Sequence, residues 1–319
     1  MSRAQLTKRT RQGIGGATDR YRAAEQGLWR CYGLQPIERT VTLPSYGIRL
    51  RIDEIGDGAP ILFVPGTGGV GPYWAALVKE LGGFRCLVLD RPGWGVSTPI
   101  DYRRHEYKTL VADLLREAMA ALGVDRAHVV GASVGGHWAM RLASQDPARV
   151  TSVVTIGTPL QLDSPPTFLR VLASPVGALM VRMPPQEKRL RSILSSLGHR
   201  ESLQDGRIPE EYLAWRLAFE GQTDSMRHER EMVRAVLGRG GFRPGFLFED
   251  AELAGVTRPV LQIFGSEDPT GTTDSWTHCA EMVPDAELRL LEGAGHVTWL
   301  DDPALVGGWV RSFVDAHTG

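Results

Sequence analysis

Gly131-Ala132-Ser133-Val134-Gly135, followed by Gly136, sets a serine between glycines placed two residues to either side. Such a serine suits a tight strand-to-helix turn, the G-x-S-x-G elbow, because only small residues at those positions leave room for the bend. The hydroxyl then projects above the sheet, and the N–H groups opening the helix favour negative charge developing beside it. The chemistry on offer is nucleophilic acyl transfer. A serine hydroxyl is a weak nucleophile at neutral pH, so it needs an imidazole to take its proton and a carboxylate to fix that imidazole's tautomer. Of the eight histidines, His137 lies four residues beyond Ser133 on the same helical stretch and reads as structural. His296, in Gly293-Ala294-Gly295-His296, follows a strand-like run, and so does the acidic pair of Gly265-Ser266-Glu267-Asp268-Pro269.

Those three segments must be brought together by the elements around them. Glu38 to Leu43 and Ile48 to Ile55 alternate like half-exposed antiparallel strands, whereas residues 61–66, 86–90, 127–131, 152–157 and 260–265 are continuous apolar runs of the kind covered on both faces. Helical spacing fills the intervals, as at Val111, Leu114, Leu115, Ala118, Met119 and Leu122, with Gly123 as a stop. Residues 286–291 form a last strand and residues 303–316 a closing helix. This βαβ alternation predicts a mostly parallel sheet with helices on both faces. The alternation lapses between Thr158 and about Asp250, where Pro209 opens a helix with Tyr212, Trp215 and Phe219 on one stripe, and a second helix runs from about Ser225 to Leu237. A helical insertion of that length reads as a cap over the sheet's functional edge. The expected organisation is an N-terminal arm and helix over residues 1–35, a core over 36–158 and 251–319, and a helical cap over 159–250.

On these motifs the chain resembles the α/β-hydrolase superfamily, in its serine branch with a helical cap. The resemblance implies an eight-stranded, mostly parallel sheet and the chain order nucleophile, acid, base. It makes Ser133 the nucleophile, Asp268 the acid in preference to Glu267, and His296 the base, with Asp302-Pro303 where such proteins often carry an acid and a proline. An oxyanion hole needs two N–H donors. Val134 supplies one, and by resemblance Thr67, after Gly66 in Val64-Pro65-Gly66-Thr67-Gly68-Gly69, supplies the other, although Pro65 stands where a histidine is common. Asp90-Arg91-Pro92-Gly93-Trp94-Gly95-Val96-Ser97 is similar to the family's turn after the fourth strand. Trp94, with Phe168, Tyr212, Trp215 and Phe219, is a candidate for lining an apolar substrate pocket.

Composition narrows the rest. A net charge of −1 gives the chain no broad footprint for nucleic acid, although residues 1–50 hold nine Lys/Arg against three Asp/Glu and read as a solvated tail. Cys31, Cys86 and Cys279 form neither a disulfide framework nor a zinc spacing, and no motif implies a cofactor or metal. With no secretory-type start and no membrane-length apolar run, the expectation is a cytoplasmic protein of unspecified oligomeric state. Its partner would be a small, fairly apolar acyl substrate, and its reaction hydrolysis of a carboxylic ester, lactone or thioester through an acyl-enzyme. Two rivals stay open. One is a carbon–carbon bond hydrolase of the same fold, with Arg91, Arg216 and Arg243 unassigned, and the other is a non-hydrolytic or ligand-binding scaffold.

Overall fold

Eight strands form one sheet in the order β1-β2-β4-β3-β5-β6-β9-β10 in the computed structural model, which describes residues 18–318. The leading part of the basic arm, residues 1–17, lies outside them. The strands are β1 (Ile37–Leu43), β2 (Ile48–Ile55), β3 (Pro60–Val64), β4 (Arg85–Leu89), β5 (Ala127–Ala132), β6 (Val150–Ile156), β9 (Val260–Gly265) and β10 (Ala286–Leu291). Only β2 runs against its neighbours, pairing antiparallel with both β1 and β4. From β4 to β10 every pairing is parallel. β3, β5, β6 and β9 are almost entirely buried, as their uninterrupted apolar composition requires of strands with helices on both faces.

One face carries α1 (residues 18–31), α2 (Ala75–Lys79) and α13 (Pro303–His317) over a cluster including Phe63, Trp74, Trp299 and Val310. The opposite face carries α3 (Tyr107–Ala121), α4 (Val134–Gln145), α11 (Asp250–Ala254) and α12 (Thr273–Met282), packed through residues such as Leu114, Trp138, Leu253 and Cys279. Among the described residues no helix is long and apolar enough to cross a membrane.

β2 is more buried than its alternating pattern suggests. Arg51 is enclosed and donates to Glu25 of α1 at 2.8 and 2.7 Å and to Asp53 at 2.7 Å, with Asp90 at 3.2 Å. A buried guanidinium is tolerable when its donors meet carboxylates, and this cluster pins α1 to the sheet.

Between β6 and β9 the chain leaves the sheet and forms α5 (Thr167–Ala173), α6 (Pro175–Met180), α7 (Glu187–Leu194), α8 (Arg200–Gln204), α9 (Glu210–Gln222) and α10 (Ser225–Val236). A two-residue hairpin, β7 (Leu237–Gly238) with β8 (Gly241–Phe242), follows α10. That hairpin lies in a stretch whose pattern is helical throughout; it is too short to show a period of two.

Candidate active site

Ser133 sits at the junction of β5 and α4 with φ 50° and ψ −124°, and is the only non-glycine with positive φ among the described residues. A β-carbon rarely tolerates that conformation, so the surroundings must enforce it. They leave no room for alternatives. A Cβ on Gly131 would lie 2.4 Å from the Gly135 carbonyl oxygen, one on Gly135 would lie 2.0 Å from that of Val64, and one on Gly136 would meet Thr158 Oγ1 at 2.1 Å. The Ser133 amide donates to the Ile156 carbonyl at 2.9 Å, tying the turn to the end of β6.

The loop after β3 approaches equally closely, since a Cβ on Gly66 would stand 2.9 Å from Ser133 Cβ. Thr67 and Val134 line the same cavity as Ser133. Thr67 is fixed by its side chain, whose Oγ1 donates to Glu229 Oε1 at 2.7 Å. Glu229, fully buried on α10, accepts at its other oxygen from Arg91 at 3.2 Å, and Arg91 also donates to the Gly66 carbonyl at 3.1 Å. Burial raises the Glu229 carboxyl above its ordinary range, and the Arg91 charge opposes that only in part. Arg91 lies over Trp94, 3.8 Å from the ring centroid, which makes the turn after β4 a support for the loop after β3.

Asp268 and His296, the expected acid and base, arrive on the loops that follow β9 and β10. His296 Nδ1 lies 2.9 Å from Asp268 Oδ2, while Asp268 Oδ1 accepts from the Thr270 amide and hydroxyl at 2.9 and 2.7 Å. Burial works to raise the Asp268 carboxyl, but the imidazole and the Thr270 donors outweigh it and hold it below the usual carboxylate range. Glu267, the competing carboxylate, makes no such contact. The imidazole packs over Gly157, where a Cβ would lie 3.0 Å from Nδ1, so Ser133 and His296 both abut the end of β6. No hydrogen bond joins Ser133 Oγ to the His296 ring.

The cavity at Ser133 is walled mainly by apolar side chains, among them Leu162, Phe168, Leu169, Met232, Val236 and Phe246. Trp94, Tyr212, Trp215 and Phe219 do not line it. They pack with Tyr21 in the core between α1, the turn after β4 and α9, because a helical stripe of aromatics seeks any apolar partner, and the N-terminal helix provides one. His137 borders the cavity and is structural in its contacts, with Nε2 3.0 Å from the Pro159 carbonyl and its ring stacked on Phe246. Asp302 caps α13 by accepting from the Leu305 amide at 2.9 Å.

Sequence reasoning passed over Glu229, His199 and Asp301. Glu229 had a readable signal, being an acid on the buried stripe of α10 with Ser225, Met232, Val233 and Val236. His199 and Asp301 are far apart in sequence and gave none.

The model of the α/β hydrolase fold family matches residues 59–303. The chain is similar to a 2-hydroxy-6-oxononadienedioate/2-hydroxy-6-oxononatrienedioate hydrolase of Dechloromonas aromatica, 24% identical over 257 residues that span 78% of this chain and 84% of that one. Among solved structures it resembles the naproxen esterase of Bacillus subtilis, with a TM-score of 0.75, 19% identity and coverage of 92% and 96%. It also resembles a 2-hydroxy-6-oxo-6-phenylhexa-2,4-dienoate hydrolase of Rhodococcus, with a TM-score of 0.72, 19% identity and coverage of 88% and 98%. The chain belongs to the α/β hydrolase fold family.

Proposed function

We propose that this protein is a serine hydrolase that cleaves an uncharged, apolar carboxylic ester, lactone or thioester, with the helices between β6 and β9 acting as a cap. Ser133 Oγ attacks the acyl carbonyl as His296 Nε2 takes its proton. Asp268 keeps the other ring proton on Nδ1 and stabilises the imidazolium. The amides of Thr67 and Val134 hold the oxyanion, and His296 then protonates the departing alcohol or thiol. Water, deprotonated by the same imidazole, attacks the acyl-enzyme and releases the acid.

The observation that carries the choice of substrate is the charge of the cavity. Its lining includes Glu229 and no Lys or Arg. Arg91 is committed to Glu229 and Arg216 to Glu220 and the Gly68 carbonyl, and Arg243, exposed and bonded to the Leu237 carbonyl through Nε alone, lies outside the lining. A carboxylate entering this cavity would meet an acid and no guanidinium in its walls. The second reading, carbon–carbon bond hydrolysis, is favoured by the names of relatives, which specify a dioate and hence two carboxylates to be held.

A series of p-nitrophenyl esters of increasing acyl length, run beside a 2-hydroxy-6-oxo-dienedioate, separates the two. Ester turnover that is lost in Ser133→Ala, with no detectable cleavage of the dioate, is expected. A higher kcat/KM for the dioate than for any ester would overturn the ester assignment. Fluorophosphonate labelling confined to Ser133 is also expected, and its absence would return the fold to a scaffold role.

A further inference from the structure

A second histidine–aspartate pair lies behind the first. Between α7 and α8 the chain makes a single π-helical turn, Ser195–His199, interrupted by Gly198 at φ 93°. This turn reaches the loop that carries His296. The Leu197 carbonyl accepts from the His296 amide at 2.8 Å, and His199 Nε2 accepts from the Val297 amide at 3.2 Å. His199 Nδ1 lies 2.9 and 3.1 Å from the two oxygens of Asp301. Asp301 in turn accepts from the Gly295 amide at 2.9 Å and from the Ser202 hydroxyl. Because Nε2 is an acceptor, a neutral His199 carries its proton on Nδ1 and donates it to Asp301.

Three consecutive amides, those of Gly295, His296 and Val297, are thus each held. Two bond directly to the insertion, and the third bonds to a carboxylate on which His199 and Ser202 of the insertion converge. The contact is as tight as backbones allow. A Cβ on Gly295 would lie 2.3 Å from the Leu197 carbonyl oxygen, and one on Gly198 would lie 2.6 Å from both Gly295 Cα and the Glu267 carbonyl oxygen. Gly198 is therefore wedged between the loop of Asp268 and the loop of His296.

We propose that His199 and Asp301 form a positioning dyad through which the helical insertion sets the orientation of the His296 imidazole. The inference rests on the triad reading above. His199 is fully buried with both nitrogens engaged, so it exchanges no proton with substrate and acts only through the backbone it holds. The effect is large because proton transfer depends steeply on geometry: a misplacement of about 1 Å lowers rate on the order of 100-fold.

The test compares His199→Phe, His199→Gln and Ser202→Ala with wild type. It reads the rate of fluorophosphonate labelling at Ser133, kcat and KM on a p-nitrophenyl ester, and the proton resonance of His296 Nδ1. Folding is checked by circular dichroism. His199→Phe should lower the labelling rate and kcat by about 10- to 100-fold, leave KM little changed, and broaden or shift the Nδ1 resonance. His199→Gln, whose amide offers both an acceptor and a donor, should recover most of that loss. A folded His199→Phe that labels at the wild-type rate with an unaltered resonance overturns the dyad. Should His199→Phe not fold, Ser202→Ala decides. A several-fold slower labelling with a shifted resonance supports the dyad, and wild-type values for both overturn it. Wild type that resists the fluorophosphonate altogether overturns the triad reading instead.

Discussion

Two aspartate–histidine pairs, Asp268–His296 and Asp301–His199, meet along one stretch of chain, each with a shortest Nδ1-to-carboxylate distance of 2.9 Å. They differ in what the second ring nitrogen meets. His199 Nε2 is spent on the Val297 amide and its side chain is wholly enclosed, whereas the His296 side chain is 12% exposed and its Nε2 has no hydrogen bond to the described residues. Carboxylate and imidazole alone therefore define no chemistry. A pair with one nitrogen unengaged is free to take part in proton transfer, whereas a pair with both engaged is a structural clamp.

The sharpest way to break this comparison is to neutralise each carboxylate in turn. Asp268→Asn should lower the kcat of the folded protein by about 10³- to 10⁴-fold, because the amide no longer holds the proton on Nδ1. Asp301→Asn removes a buried charge that has several donors aimed at it. It should destabilise the fold by about 3–5 kcal/mol in urea unfolding, with the folded fraction turning over about 10- to 100-fold slower. If Asp301→Asn left stability intact while Asp268→Asn chiefly unfolded the protein, the two roles would have been assigned the wrong way round. A smaller effect is expected of Gly198→Ala, whose new methyl group would meet only backbone atoms and at a positive φ. That change should cost about 1–3 kcal/mol of stability, and an unchanged urea midpoint would show that Gly198 is not wedged between the two loops.

Only the first pair could be found in the sequence, and the reason is local. Gly131 and Gly135 announce a turn that nothing larger could make, Asp268 follows an apolar run that is a strand, and His296 follows an alternating one. Such signals are contained within about ten residues of chain. The His199–Asp301 clamp joins positions 102 residues apart, and neither residue sits in a motif. Asp302-Pro303 drew attention as an acidic site, yet Asp302 is a helix cap and its neighbour Asp301 holds the network. The aromatic stripe of α9 illustrates the same limit: periodicity shows that Tyr212, Trp215 and Phe219 share a buried face, but the surface that covers it, Tyr21 of α1 and Trp94, is set by tertiary packing.

A third histidine sharpens the contrast by having no carboxylate at all. His137 bonds to the Pro159 carbonyl and stacks on Phe246, and burial, with the Arg141 charge adding to it, pushes its pKa down to about 4. A folded-state value below the unfolded one near 6.5 means that the unfolded chain takes up the proton first as pH falls. The stability this residue supports is therefore complete above about pH 6.5 and lost as pH drops toward 4. Between pH 7 and 5 the loss should amount to about 2 kcal/mol. Asp53 and Asp90, raised by burial to about 6 and about 7, act in the opposite direction over part of the same range. Their contribution is common to wild type and to a His137→Gln variant, which keeps a donor for Pro159 but does not titrate. Urea midpoints at pH 7 and 5 should therefore fall more for wild type than for His137→Gln. Equal falls would mean that the ring admits a proton in place, and that burial without a carboxylate does not keep a histidine neutral in this fold.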